Sequence, residues 1–190
     1  MRRSGWVAVV AAVGLGLTGC SDPGTPSDTL PTAASTSAEP TLAPLGPADF
    51  PVPAEAREQT LDGVLAMNTY YFDLLNYSQT APTGEWLRQV SDGCTICTGT
   101  ANYFDSSADA GVKFSGGTFT VLASTGQLSD EFNASSAVRV QLDAVTAEDS
   151  AGQTIEDESF GAAELSGGAA FRWDQQKSAW LITQLDLSPV

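Results

Sequence analysis

The chain contains no histidine. That removes the commonest general base, and with it any Ser–His or Cys–His nucleophilic couple. A zinc centre, which needs about four ligands, would have to be assembled from a few thiolates and carboxylates. Basic residues are scarce as well: 8 Lys and Arg stand against 23 Asp and Glu, a formal charge of −15. Such a surface repels a phosphate backbone, so nucleic acid is not an expected partner, and anionic lipid is a poor one. No P-loop glycine cradle is present and no dinucleotide fingerprint follows a strand, so no cofactor is expected. The acidity is read as a solubility device. The run Glu156-Asp157-Glu158 lacks the ligand spacing and glycine of a calcium loop and reads as a solvated turn.

The most apolar run, Trp6 to Leu17, is too short to span a bilayer comfortably, and it follows the basic pair Arg2-Arg3. This is the build of a secretory signal over residues 1–19. Leu17-Thr18-Gly19-Cys20 then resembles the lipobox of bacterial lipoproteins. The resemblance implies cleavage before Cys20, a diacylglyceryl group on the Cys20 thiol and a membrane partner reached through that lipid. The alternative is an ordinary signal peptide followed by a chance cysteine. Two or three acyl chains hold a protein stably to a membrane where one does so only marginally. The expected location is therefore the extracytoplasmic side of the cell membrane, and loss of Arg2 and Arg3 takes the charge from −15 to −17.

Residues 20–49 are rich in Pro, Ser, Thr, Ala and Gly and poor in large apolar side chains. Such a segment cannot repay its ordering entropy and reads as a disordered tether. It would span roughly 30 Å on average. Residues 50–190 are expected to form one α+β domain.

Within that domain, the segment from Pro53 to Tyr77 predicts a long helix with Glu55 and Glu58 in its first turn. Leu61, Val64, Leu65, Asn68, Tyr71, Phe72 and Leu75 recur at helical spacing, and Met67, Tyr70, Leu74 and Tyr77 widen the apolar face. Thr83 caps a short helix carrying Trp86, Leu87 and Val90, which is expected to run to Gly93. A third helix passes through Tyr103 and Phe104 and ends at Gly111. The period then changes to two: Val112–Phe114, Phe119–Val121, and Val138, Val140 and Leu142 alternating with Arg139, Gln141 and Asp143. The segments around Phe171 and Leu181 flank Asp174–Lys177 as a hairpin. Gly-Gly pairs at 116–117 and 167–168 suit turns or bulges that curve a sheet. Helices followed by antiparallel strands make an α+β fold.

Phe50-Pro51, Tyr70-Tyr71, Leu75-Asn76-Tyr77 and the pair Cys94/Cys97 resemble the core motif of an uncharacterised actinobacterial lipoprotein family, over about residues 50–105. The order of elements is similar to the cone-shaped fold of nuclear transport factor 2 and its relatives, which include ketosteroid isomerases, polyketide cyclases and many non-catalytic modules. The resemblance implies N-terminal helices packed on a curved antiparallel sheet. The lipoprotein family brings no established activity.

With Cys20 assigned to lipid, the stretch Gly93-Cys94-Thr95-Ile96-Cys97 holds an even pair of cysteines in an oxidising compartment. The expected outcome is a disulfide, Cys94–Cys97, fixing a short loop between two helices. A redox dithiol and a metal site shared between two chains are the alternatives. For function, the expected reading is a non-catalytic module that binds a cell-envelope protein or a small ligand, with Asn68 and Tyr71 as pocket-facing candidates. The alternatives are a small isomerase- or cyclase-type enzyme, pairing Asp73 or Asp105 with Tyr70, Tyr71 or Tyr103, and a thiol-disulfide oxidoreductase. An Asn68 hydrogen-bonded at the seam between helix and sheet is the competing structural reading.

Overall fold

The computed structural model describes residues 42–190. The expected signal, Cys20 and the tether as far as residue 41 lie outside the described residues. Packing begins ahead of Phe50: Leu45 is buried, its carbonyl accepts the Val52 N–H (3.0 Å), and the Gly46 N–H donates to Gln89 Oε1 (3.0 Å). Phe50 stacks on Tyr70 and Tyr77, with ring centroids 5.2 and 5.7 Å away, and the Tyr70 hydroxyl donates to the Phe50 carbonyl (2.9 Å). The Phe-Pro and Tyr-Tyr elements of the sequence motif thus meet as one aromatic clasp at the entrance to the domain.

The long helix starts later than Pro53. A 3-10 turn, Glu55–Arg57, ends at an extended Glu58, and α1 runs Leu61–Thr80. Thr60 is the cap, its Oγ1 accepting the Gly63 N–H (3.0 Å). The break has a tertiary cause. The Glu58 carbonyl accepts the indole N–H of Trp180 (3.0 Å), and a Cβ on Gly63 would lie 2.1 Å from the same oxygen. Helix α2, Glu85–Gln89, is preceded by Thr83, whose Oγ1 accepts the Glu85 N–H (3.3 Å). It stops before Val90 rather than reaching Gly93, because residues 90–92 pair along a strand edge: Ile182 N donates to Val90 O (3.0 Å) and Asp92 N to Ile182 O (2.9 Å). Covering an edge in this way removes a row of unpaired backbone groups. Helix α3, Thr95–Ala110, is capped by Cys94 and ends at a left-handed Gly111.

The strands are β1 (Lys113–Gly116), β2 (Phe119–Leu128), β3 (Asn133–Leu142), β4 (Val145–Glu148), β5 (Ala163–Asp174) and β6 (Ala179–Pro189). Four of them form an antiparallel sheet in the order β2-β3-β5-β6, while β1 and β4 pair separately. Gly116 and Gly117 both take positive φ (75° and 72°) at the turn into β2, where other residues would be strained. Gly167 and Gly168 are neither turn nor bulge but regular ladder positions. A Cβ on Gly167 would come 1.9 Å from the Asp186 carbonyl, so glycine there permits a close strand approach. The sheet's irregularities fall instead at Leu122 in β2 and Thr183 in β6, where the register slips by one residue. The inner face, including Val138, Val140, Phe171, Trp180 and Ile182, joins Val64, Met67, Tyr70, Tyr71 and Leu74 of α1 in one continuous core. This is an α+β fold with N-terminal helices on an antiparallel sheet, as expected.

Candidate functional site

One end of the interface between α1 and the sheet is not filled. A cavity of about 280 Å³ lies there, walled by α1, α3, the sheet and the β1–β4 ribbon. Helix α1 contributes Tyr71, Leu75 and Gln79, an i, i+4, i+8 stripe that a helix places along one face. Helix α3 contributes Ile96, Thr100, Tyr103 and Phe104. The remaining wall is apolar, with Phe114, Phe119, Leu142, Leu165 and Leu185 among its members. At the opening stand Phe160 and Ile96, 58% and 53% exposed, and the pair Tyr103–Glu158, whose hydroxyl and carboxylate are hydrogen-bonded at 2.9 Å.

Two residues of this wall carry a buried polar atom with no hydrogen-bond partner, the Tyr71 hydroxyl and Gln79 Oε1. Tyr71 is only 1% exposed, and burial drives its phenol pKa well above the ordinary range. Gln79 is held by its other end, Nε2 donating to the Gly117 carbonyl (2.7 Å). An unpaired buried polar group costs about 1–3 kcal/mol, so such groups in native chains usually have a partner in protein, water or ligand. At the rim, the Tyr103 phenol is pushed up to about 12, first by burial and then by its hydrogen bond to Glu158.

Of the two residues expected to face a pocket, Tyr71 does and Asn68 does not. Asn68 points into the sheet, donating from Nδ2 to Ser124 Oγ (3.3 Å) and accepting at Oδ1 from Ser136 Oγ (3.2 Å). It is a seam residue whose partners are side chains of β2 and β3. The expected isomerase pairs are not assembled either. Asp105 accepts the Gly84 N–H (2.7 Å) and meets Arg88 (2.7 Å), contacts that hold its carboxyl below the usual range. Asp73 stands on the exposed side of α1, its carboxyl raised by partial burial. Neither lines the cavity, and Tyr70 is committed to Phe50. The carboxylate that does reach the cavity is Glu158, a member of the acidic run read as a solvated turn.

Cys94 and Cys97 are joined, with an S–S distance of 2.04 Å, but the bridge does not span a loop between two helices. Cys94 is the cap of α3 and Cys97 lies in its first turn, directly after the strand-like segment 90–92. A bridge preceded by extended chain and opening a helix is the local setting of a redox dithiol. Access differs: the two residues are 1% and 0% exposed, so an incoming thiolate cannot reach either sulfur in the folded state. Their present effect is to fix the first turn of α3, and with it Ile96 and Thr100 on the cavity wall. Among the described residues, no group of three or more His, Cys, Asp or Glu could hold a metal ion, and no helix is long and apolar enough to cross a membrane.

No family model matches the chain, and no curated protein matches it. Among solved structures, it is similar to the intermembrane space region of the chloroplast protein ARC6, with a TM-score of 0.50 and 13% identity, over 69% of this chain and 96% of that one. A putative calcium/calmodulin-dependent protein kinase II association domain from Xanthomonas campestris gives a TM-score of 0.42 and 16% identity, over 68% of this chain and 86% of that one. Aln2 from a Streptomyces species gives 0.41 and 8%, over 67% and 90%. At 13% identity the first of these likenesses shows the fold alone.

Proposed function

We propose that the protein is a lipid-anchored extracytoplasmic binding module that holds a small, largely apolar ligand in the cavity beside α1. The observation that carries this reading is the cavity itself, about 280 Å³ with a mostly apolar wall whose few polar residues are Tyr71, Gln79, Thr100, Tyr103 and Glu158. A concave apolar site with a few convergent polar groups is the ordinary form of a small-molecule pocket. The anchor rests on the signal-like residues 1–19 and on Leu17-Thr18-Gly19-Cys20, and membership of the actinobacterial lipoprotein family rests on the motif residues given above. The tether would then present the cavity at a distance from the membrane without binding to its surface.

A non-catalytic role is favoured by the placement of the charged groups. A proton-shuttling isomerase needs its carboxylate inside the cavity, shielded from water, whereas Glu158 sits at the opening with its Oε2 already engaged by Tyr103. A thiol oxidoreductase needs an accessible sulfur, and both are covered.

Native mass spectrometry tests the binding role. A chain carrying Cys20→Ser, secreted without lipid and purified gently, is expected to carry an extra mass that denaturation removes. A bare mass that stays bare after incubation with a cell-envelope extract would sink the reading. In the same cells, the unsubstituted chain is expected to incorporate an alkynyl fatty acid and the Cys20→Ser chain to incorporate none. Equal labelling of the two would dispose of the anchor at Cys20.

A further inference from the structure

We infer that the cavity selects a small organic cation, a protonated primary amine carried on an apolar body. This rests on the cavity being a ligand site, as proposed above, and adds the chemical class of the ligand.

The first argument is a count of donors and acceptors. Gln79 Oε1 is buried and lacks a donor, while one N–H of the amide nitrogen beside it is held by the Gly117 carbonyl. The Thr100 hydroxyl donates to the Ile96 carbonyl (3.0 Å), so toward the cavity it offers lone pairs only. The Tyr103 hydroxyl spends its proton on Glu158 Oε2 (2.9 Å), and Glu158 keeps a second carboxylate oxygen at the opening. The donors left over, the Tyr71 hydroxyl and the second Gln79 N–H, belong to the deep end of the wall and not to the opening. The polar groups nearest the opening, Thr100, Tyr103 and Glu158, therefore ask for a donor, and an ammonium group is three donors with no acceptor.

Charge and aromatic character point the same way. No lysine or arginine lines the cavity, and Glu158 supplies its one carboxylate. The rings of Tyr103, Phe104 and Phe114 form a cluster with centroids 5.8, 5.9 and 6.2 Å apart, and Phe119 and Phe160 add further rings to the wall. Aromatic faces attract cations, more strongly where water is excluded. The net charge of −15 concentrates cations around the molecule before any of them enters. A carboxylate ligand would find no lysine or arginine and would face Glu158. A neutral alcohol could donate to an acceptor at the opening but would leave Glu158 without a counter-charge. At about 280 Å³ the cavity is at the small end for drug-sized ligands, which suits one ring with a short chain.

Three probes that share one body separate these cases: phenylbutylamine, phenylbutanol and phenylbutyrate, each titrated calorimetrically into the Cys20→Ser chain at neutral pH. The amine is expected to bind about tenfold more tightly than the alcohol, and the acid more weakly than either. Glu158→Gln is expected to shrink the amine-to-alcohol affinity ratio toward one. Thr100→Trp, which fills the cavity from α3, should abolish both. If alcohol or acid binds as tightly as the amine, the cation assignment is overturned and the cavity reading stands. If none of the three binds, the cavity reading falls with it. Amine binding that survives Thr100→Trp would be attraction to the acidic surface, and that too would overturn the assignment.

Discussion

Helix α1 meets the sheet in two ways along its length. Toward its N-terminus the interface is closed: Val64 and Met67 are fully buried, and the one amide there, Asn68, is paired on both sides by Ser124 and Ser136. Toward its C-terminus the interface opens into the cavity, and Tyr71 and Gln79 carry polar atoms with no partner. Poor design of the second half is not the explanation. Between Tyr71 and Gln79, Asn76 makes a two-point bond to the Phe119 backbone, accepting from its N–H (2.7 Å) and donating to its carbonyl (2.9 Å). The amides at Asn68 and Asn76 are satisfied, while Tyr71 and Gln79 on the cavity wall, and Ser78 off it, carry unpaired atoms. The pairing of polar atoms, rather than burial alone, is what separates the two halves.

The strongest test of the closed half is Trp180→Ala. Trp180 is 0% exposed, and its Nε1–H holds the Glu58 carbonyl out of the helix (3.0 Å). Its removal is expected to cost about 3–5 kcal/mol, from the cavity created and the orphaned carbonyl together. The denaturant midpoint of the Cys20→Ser chain with and without the substitution measures it. A loss under about 1 kcal/mol would mean that this half is as loosely filled as the other.

Next in size is Asn68→Leu, which keeps the volume and strands two serine hydroxyls in the seam. About 2 kcal/mol of stability should go, and adding Ser136→Ala should restore part of it by removing one stranded group. Ligand retention in native mass spectra should not change, because Asn68 faces β2 and β3 and not the cavity. Loss of ligand with little loss of stability would assign Asn68 to the site and erase the distinction between the halves.

Much of this layout was legible in the sequence, and its gaps have physical causes. The 3.6-residue stripe of α1, the glycine stop of α3, the two-residue alternation of β3 and the hairpin around Asp174–Lys177 are local patterns, and each is present. The start of α1 was misplaced because the break at Glu58 is imposed by Trp180, 122 residues away. Residues 90–92 left the helical state because the edge of β6 needed a partner. The Cys94–Cys97 bridge was expected from the cysteine count, yet its position inside the first turn of α3 depended on where α2 stopped. Tyr71 was visible as a candidate because it falls on the apolar stripe. Gln79, Glu158 and Phe160 were not: the first is two turns beyond Tyr71 at the polar end of the helix, and the others lie in an aperiodic stretch. A large aromatic two positions after an acidic run, Phe160 after Glu156-Asp157-Glu158, was the available hint. Only the closure of that segment over α3 turns it into part of a wall.

The smallest expected change is the most informative about the open half. Tyr71→Phe deletes a hydroxyl that is buried and makes no hydrogen bond. In the empty protein the substitution should therefore leave stability unchanged or raise it by up to about 1 kcal/mol, since an unpaired polar group is a net cost of burial. This is opposite in sign to Asn68→Leu, although both residues belong to α1 and both are 1% exposed. Bound ligand should reverse the order. At a ligand concentration about a hundred times its dissociation constant, the original chain gains roughly 2.7 kcal/mol by mass action. The Tyr71→Phe chain, with one hydrogen bond fewer to offer, should gain less. Thermal unfolding of both chains, with and without phenylbutylamine, reads all four numbers. A destabilised empty Tyr71→Phe chain would mean that the hydroxyl already has a partner, such as a fixed water, and the contrast between the two halves of α1 would then be one of filling alone.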